Sequence, residues 1–162
     1  MFVIPSIAAC ALFAQMGDNE GELQHDLPSP IMNMESPVLS PSQALESFVV
    51  QDGFYIELVA SEPMIQDPVS AVFAPDGSLW VVEMQSFMPD VDGNNELAPI
   101  SRIVHLTDTN SDGIMDESTV FMDGLVLPRS LAISHDGILL IAPPDLLYCR
   151  DLDGNGKCDD IR

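Results

Sequence analysis

A repeat of two unlike hairpins constrains this chain more than any other feature. Val72-Phe-Ala-Pro-Asp-Gly-Ser-Leu-Trp-Val-Val82 resembles Leu131-Ala-Ile-Ser-His-Asp-Gly-Ile-Leu-Leu-Ile141. Each reads as an apolar strand, an Asp-Gly turn and a second apolar strand, the strongest short-range hairpin signal. The other recurring element is an acidic loop, Asp108-Thr-Asn-Ser-Asp-Gly-Ile-Met-Asp116 and again Asp151-Leu-Asp-Gly-Asn-Gly-Lys-Cys-Asp159. The acidic loops lie 43 residues apart, whereas the Asp76-Gly77 and Asp136-Gly137 pairs lie 60 apart. The difference falls in a polar stretch, Met84 to Ser101. The unit is one Asp-Gly hairpin followed by one acidic-loop hairpin, four short strands in roughly 45 residues, the period of a β-propeller blade. An all-β fold with about two β-propeller blades is predicted, the alternative being two unrelated hairpin pairs. The copy near 103–149 is the compact one, and the first carries an insertion.

The acidic loops carry a recognisable ligand spacing. Both place an oxygen-bearing side chain at positions 1, 3, 5 and 9 and Gly at position 6. Ca²⁺ takes about six to eight hard oxygen ligands, and Gly permits the sharp bend that turns alternate side chains inward. The predicted calcium ligands are Asp108, Asn110, Asp112 and Asp116 in the first loop, and Asp151, Asp153, Asn155 and Asp159 in the second. The carbonyls of Ile114 and Lys157 would add to them. An EF-hand would need Glu at position 12, where Thr119 and Arg162 stand, and the flanks read as strands. These are calcium loops joining β-hairpins, or else two polar Asp/Gly turns. Equal carboxylate counts predict similar affinities for the two.

Charge narrows the partners. The net charge is −21, with five Lys and Arg and none before Arg102. Such a surface repels phosphate backbones, so nucleic acid is not an expected partner. Each bound Ca²⁺ would offset two negative charges. At 46% apolar residues the chain has material for a core, and no apolar run reaches the roughly 18 residues that cross a bilayer.

The N-terminal part divides into pieces. Residues 1–14 are signal-like, an apolar run ending Leu12-Phe13-Ala14, and point to export to the periplasm or cell envelope. Ile7-Ala8-Ala9-Cys10 has the local pattern of a lipoprotein attachment site. Residues 15–39 read as a linker with Pro28, Pro30 and Pro37 and no regular period. Ser40 to Ser47 read as a short helix, with Ser40 as cap, Pro41 at the first helical position and Gln43 completing a capping box. Phe48–Val50 and Phe54–Ala60 follow as expected strands broken by Asp52-Gly53, and the globular domain, 40–162, begins there.

Further along, Phe54-Tyr-Ile-Glu-Leu-Val-Ala-Ser-Glu-Pro63, Asp67-Pro68, Leu79-Trp-Val-Val-Glu-Met84 and Thr119-Val-Phe-Met-Asp-Gly-Leu-Val-Leu-Pro-Arg129 occur in order, with the acidic loops among them. Together they resemble the N-terminal part of large bacterial membrane-bound dehydrogenases with a haem-binding CxxCH domain, of the planctomycete–verrucomicrobial type. The resemblance covers about residues 40–162. It implies a six-bladed propeller related to soluble quinoprotein glucose and sorbosone dehydrogenases. A sugar or alcohol substrate, a PQQ cofactor, and a c-type cytochrome domain as electron acceptor follow from that resemblance alone. Six blades of about 40–60 residues need about 240–360, so the chain reads as a C-terminally truncated product or a piece of a longer frame. It contains no Cys-x-x-Cys-His, so haem c is expected only beyond it. No catalytic or quinone-binding residue of the relatives maps onto this sequence.

The remaining candidates each have a plain structural alternative. His105 lies in a strand and reads as structural before catalytic, His135 as a turn residue, and His25 sits in the linker. Glu83, Met84 and Gln85 either line a pocket at the propeller mouth or form an ordinary loop. Arg129 pairs with a carboxylate or contacts an anionic ligand, and Trp80 belongs to the blade core. Cys149 and Cys158 bracket the second acidic loop, and in an exported protein such spacing favours a disulfide. Two functional classes stay open: a dehydrogenase whose chemistry rests on resemblance, and a non-enzymatic, calcium-stiffened propeller that binds glycans or proteins.

Overall fold

The computed structural model describes residues 37–90 and 92–162. The signal-like segment, Cys10 and His25 lie outside them. Within the unit Leu39–Arg162, the chain opens on α1 (Pro41–Ser47). The Gln43 amide donates to Ser40 Oγ (3.3 Å) and the Ser40 amide donates to Gln43 Oε1 (2.9 Å), the reciprocal cap that satisfies two otherwise orphaned N–H groups.

The expected strands Phe48–Val50 and Phe54–Ala60 do not form. The turn between them does, with the Phe54 amide donating to the Gln51 carbonyl (3.1 Å). Aromatic and β-branched residues favour a strand only where a ladder partner exists, and none takes up this segment. Its end instead becomes a cover: Val59, Ala60, Met64 and Ile65 pack over Leu79, Val81, Val104, Leu106 and Met115.

Two four-stranded antiparallel meanders follow, each blade-like. The first runs β1 (Pro68–Phe73), β2 (Leu79–Glu83), β3 (Ser101–Thr107) and β4 (Glu117–Leu125), in that spatial order. The second runs β5 (Ser130–Ile133), β6 (Ile138–Ala142), β7 (Asp145–Arg150) and β8 (Asp160–Ile161). The 84–100 insertion joins β2 to β3, and the acidic loops close the β3–β4 and β7–β8 hairpins. Between the sheets lies the main core, where Val82, Ile103, Phe121 and Leu125 meet Leu131, Ile138, Leu140, Ala142 and Cys149.

The two sheets stack head to tail. Phe73 pairs with Leu79 across the first Asp-Gly turn and Ile133 with Ile138 across the second. Leu79 and Val81, under the 59–65 cover, therefore correspond to Ile138 and Leu140, under the first sheet. Trp80 and Val82, which face the second sheet, correspond to Leu139 and Ile141, which are 39% and 47% exposed on its outer face.

Candidate metal centre

Both acidic loops are tethered to whatever covers their sheet. In the first, the Met115 amide donates to the Val59 carbonyl (2.8 Å) and the Asp116 amide to the Thr107 carbonyl (3.0 Å). In the second, the Cys158 amide donates to the Phe121 carbonyl (2.8 Å) and the Asp159 amide to the Arg150 carbonyl (2.8 Å). Positions 8 and 9 thus do the same work in each, one anchoring sideways and one continuing the ladder.

Inside the loops the side chains fold back on their own backbone. Asp108 accepts from the amides of Asp112 (3.2 Å) and Gly113 (2.8 Å). Asp151 accepts from Gly154 (2.7 Å), Asn155 (3.2 Å) and Gly156 (2.8 Å). The Gly113 amide in the first loop and the Gly156 amide in the second hold these carboxyls below the usual value of 3.8. Position 3 caps position 5: the Asp112 amide donates to Asn110 (2.9 Å) and the Asn155 amide to Asp153 (3.0 Å). Position 5 caps position 7, from Ile114 to Asp112 (2.8 Å) and from Lys157 to Asn155 (2.8 Å). Position 9 accepts from position 2, Thr109 to Asp116 (3.2 Å) and Leu152 to Asp159 (3.0 Å). Gly113 and Gly156 sit at φ +89° and +80°, a region that costs any residue with a Cβ.

The loops differ in what converges. Ligand oxygens of Asp151, Asp153 and Asp159 all lie within 4.8 Å of one another, the one such cluster of three His, Cys, Asp or Glu ligands among the described residues. Asp108, Asp112 and Asp116 are not brought together in this way. Their third carboxylate stands at position 5 and is turned onto the Ile114 amide, while position 3 is the neutral Asn110. Cys149 and Cys158 are bonded as a disulfide with Cα atoms 5.8 Å apart, closing the second loop at its neck. The donor set there is all oxygen and mostly carboxylate, which fits a hard divalent cation; each carboxylate keeps lone pairs beyond those given to the backbone.

The other candidates fall into place around these loops. Glu83 is fully buried at the end of β2. It accepts from the Gln66 amide (2.8 Å), Gln85 Nε2 (2.9 Å) and Arg102 Nε, and holds the start of the insertion. Met84 is buried beside it. Arg129 has no carboxylate partner among the described residues; its guanidinium lies 6.0 Å from the centroid of the Phe87 ring. Arg150 bridges Asp136 (3.2 Å) and Asp160 (3.0 Å from Nε), and Tyr148 donates to Asp136. Sequence reasoning passed over this network and the Glu83 cluster. The available signal was scarcity, since with five cations in the chain each partner is worth seeking.

Beside the second loop is a cleft of about 620 Å³ between the two Asp-Gly turns. His105 stacks on Trp80 with ring centroids 4.5 Å apart, and Phe121 meets Trp80 edge-on at 4.7 Å. Burial keeps the His105 imidazole below its usual 6.5, against a weaker upward pull from Asp76. His135 is exposed on the second turn.

The fold and loops define a class: an all-β chain of repeated four-stranded sheets with acidic turns. The chain belongs to the family described as Domain of unknown function (DUF7133), whose model matches residues 40–162. No curated protein and no solved structure matches the chain.

Proposed function

We propose that this domain is a calcium-stiffened pair of blades within a larger β-propeller at the cell envelope, acting as a scaffold that binds glycans or proteins. The observation that carries the metal is the convergence of Asp151, Asp153 and Asp159 within 4.8 Å. Asp151, Asp153, Asn155 and Asp159, with the Lys157 carbonyl, would hold the ion. Asp108, Asn110, Asp112 and Asp116, with the Ile114 carbonyl, form the weaker site. Calcium supplies charge neutralisation, which matters in a chain of net charge −21. The larger propeller is supported by head-to-tail packing: the face of the first sheet that packs on the second recurs, exposed, as Leu139 and Ile141. Leu146, on the neighbouring strand and paired with Ile141, is 65% exposed. Sheets added head to tail leave such a face until the ring closes. Export rests on the signal-like residues 1–14. The test is a melting curve in millimolar calcium and in EDTA: calcium should raise the midpoint and EDTA reverse it, and an unchanged curve removes the metal.

The ordered motifs from Phe54 to Arg129 favour a second reading, that of a sugar or alcohol dehydrogenase. PQQ would be its redox group and a cytochrome domain its electron acceptor, with no residue of this chain assigned to either. Titration with PQQ, alongside sugar-dependent dye reduction, separates the two readings. Quinone binding with turnover favours the enzyme, and neither favours the scaffold.

A further inference from the structure

We propose that the cleft between the Asp76-Gly77 and Asp136-Gly137 turns binds a small organic cation, its apolar body on Trp80 and its ammonium or guanidinium group at Asp76. The cleft, about 620 Å³, falls within the range of about 300–1,000 Å³ of small-ligand sites. Trp80 and Phe121 supply aromatic surface, held at a fixed angle by their edge-on contact at 4.7 Å and by His105 at 4.5 Å. Aromatic faces with a carboxylate nearby recognise cations that carry apolar groups, because the ring quadrupole and the anion attract the same charge.

The fixed charges of the lining are carboxylates. No Lys or Arg lines the cleft, whereas Asp76, Asp136 and Asp151 do. Two of the three are already engaged. Asp136 is held by Tyr148 and by Arg150 at 3.2 Å, and Asp151 by three backbone amides. Asp76 differs: its Oδ1 accepts from the Ser78 amide (3.0 Å) and hydroxyl (2.7 Å), and its Oδ2 accepts from none of the described residues. That free oxygen sits on the turn that borders the aromatic stack. A neutral sugar would find few other unspent acceptors here, and an anion would meet carboxylates with no Lys or Arg on the lining to receive it. Binding at this cleft requires no ion in either acidic loop.

Trp80 is the one tryptophan of the chain and therefore reports on its own cleft. The full chain, at fixed calcium and ionic strength, is titrated with n-butylammonium, n-butanol and glucose while Trp80 emission is followed. Butylammonium should give a saturable change with a dissociation constant on the order of millimolar, the scale open to so small a ligand. Butanol should bind at least about threefold more weakly, as expected when one partly exposed charge contact is lost. Asp76→Asn keeps the acceptor for Ser78 and should weaken butylammonium by a similar factor. Amide chemical-shift mapping on the unsubstituted chain should place the response at Ala74–Trp80 and Ser134–Ile138. Equal response to butanol, a saturable response to glucose, no effect of Asp76→Asn, or shifts confined elsewhere would each overturn the proposal.

Discussion

The two acidic loops share one hydrogen-bond plan and are closed by different chemistry. Two residues before position 1 stand Leu106 in the first loop and Cys149 in the second; at position 8 stand Met115 and Cys158. In the first loop this pair packs within an apolar cluster, and in the second it is a disulfide. The same neck is thus shut once by burial and once by a bond. The closed end differs too: carboxylates occupy positions 1, 3 and 9 of the second loop, whereas Asn110 interrupts that set in the first. The backbone of such a loop is specified by its glycine and its self-capping side chains. In the calcium reading proposed above, affinity for the cation would be specified separately, by the charge at position 3 and by how firmly the neck is held.

Opening either neck should have the largest effect. Replacing Cys149 and Cys158 together by Ser should destabilise the fold by about 2–3 kcal/mol on the loop-entropy estimate, read from denaturant midpoints in EDTA. Reducing agent should do the same to the parent chain and nothing to the double variant. No loss on removing both cysteines would show that the disulfide does not hold the neck. Leu106→Ala, which opens the apolar neck of the first loop, should cost a comparable or larger amount, about 2–5 kcal/mol, since Leu106 is fully buried.

Next is the bend itself. Gly113→Ala and Gly156→Ala place a Cβ on residues at φ +89° and +80°. Neither Cβ would clash, with nothing within 4 Å of the first and Thr119 Cγ2 at 3.5 Å from the second. Each should therefore cost about 1–2 kcal/mol from backbone strain alone. A large inequality between them would show that the loops are not the same device.

The smallest effects are in pH. His105 is held below its usual 6.5 by burial, so the unfolded chain takes up that proton first as pH falls. Stability should begin to fall below about pH 6.5, and His105→Gln should flatten that segment. Asp136 is held below 3.8 by Tyr148 and then Arg150, so its contribution is complete above that value and is lost as pH falls through the lower folded one. Melting temperature against pH, in EDTA, reads both. A curve flat from 7 down to about 4 would contradict the His105 assignment.

Much of this comparison was legible in the residues because turns are local. Asp-Gly, the Ser40–Gln43 cap and the position-6 glycines act within a few residues, and the structure places each where the pattern did. Partnership is not local. The 48–60 segment has strand composition, yet its fate depends on whether a neighbouring edge accepts it. Counting the repeat by its Asp-Gly pairs, 60 apart, would slip β6 by one residue and turn its side chains to the wrong face. Five residues separate Phe73 from Leu79 but four separate Ile133 from Ile138, so β1 and β5 correspond at 60 and β2 and β6 at 59. Nor did the carboxylate count separate the loops. It is three in each, and the difference lies in which position carries the neutral residue.

That difference is open to one direct measurement, calorimetric titration of calcium into the full chain, its Asp153→Asn variant and its Asn110→Asp variant. The parent should bind a first equivalent with a dissociation constant of about 10⁻⁴–10⁻³ M, the range of extracellular modules, and a second more weakly. Asp153→Asn should weaken the first by about tenfold and leave the second unchanged, whereas Asn110→Asp should strengthen the second toward the first. No heat of binding at millimolar calcium, or two sites that respond identically to both substitutions, would contradict the account.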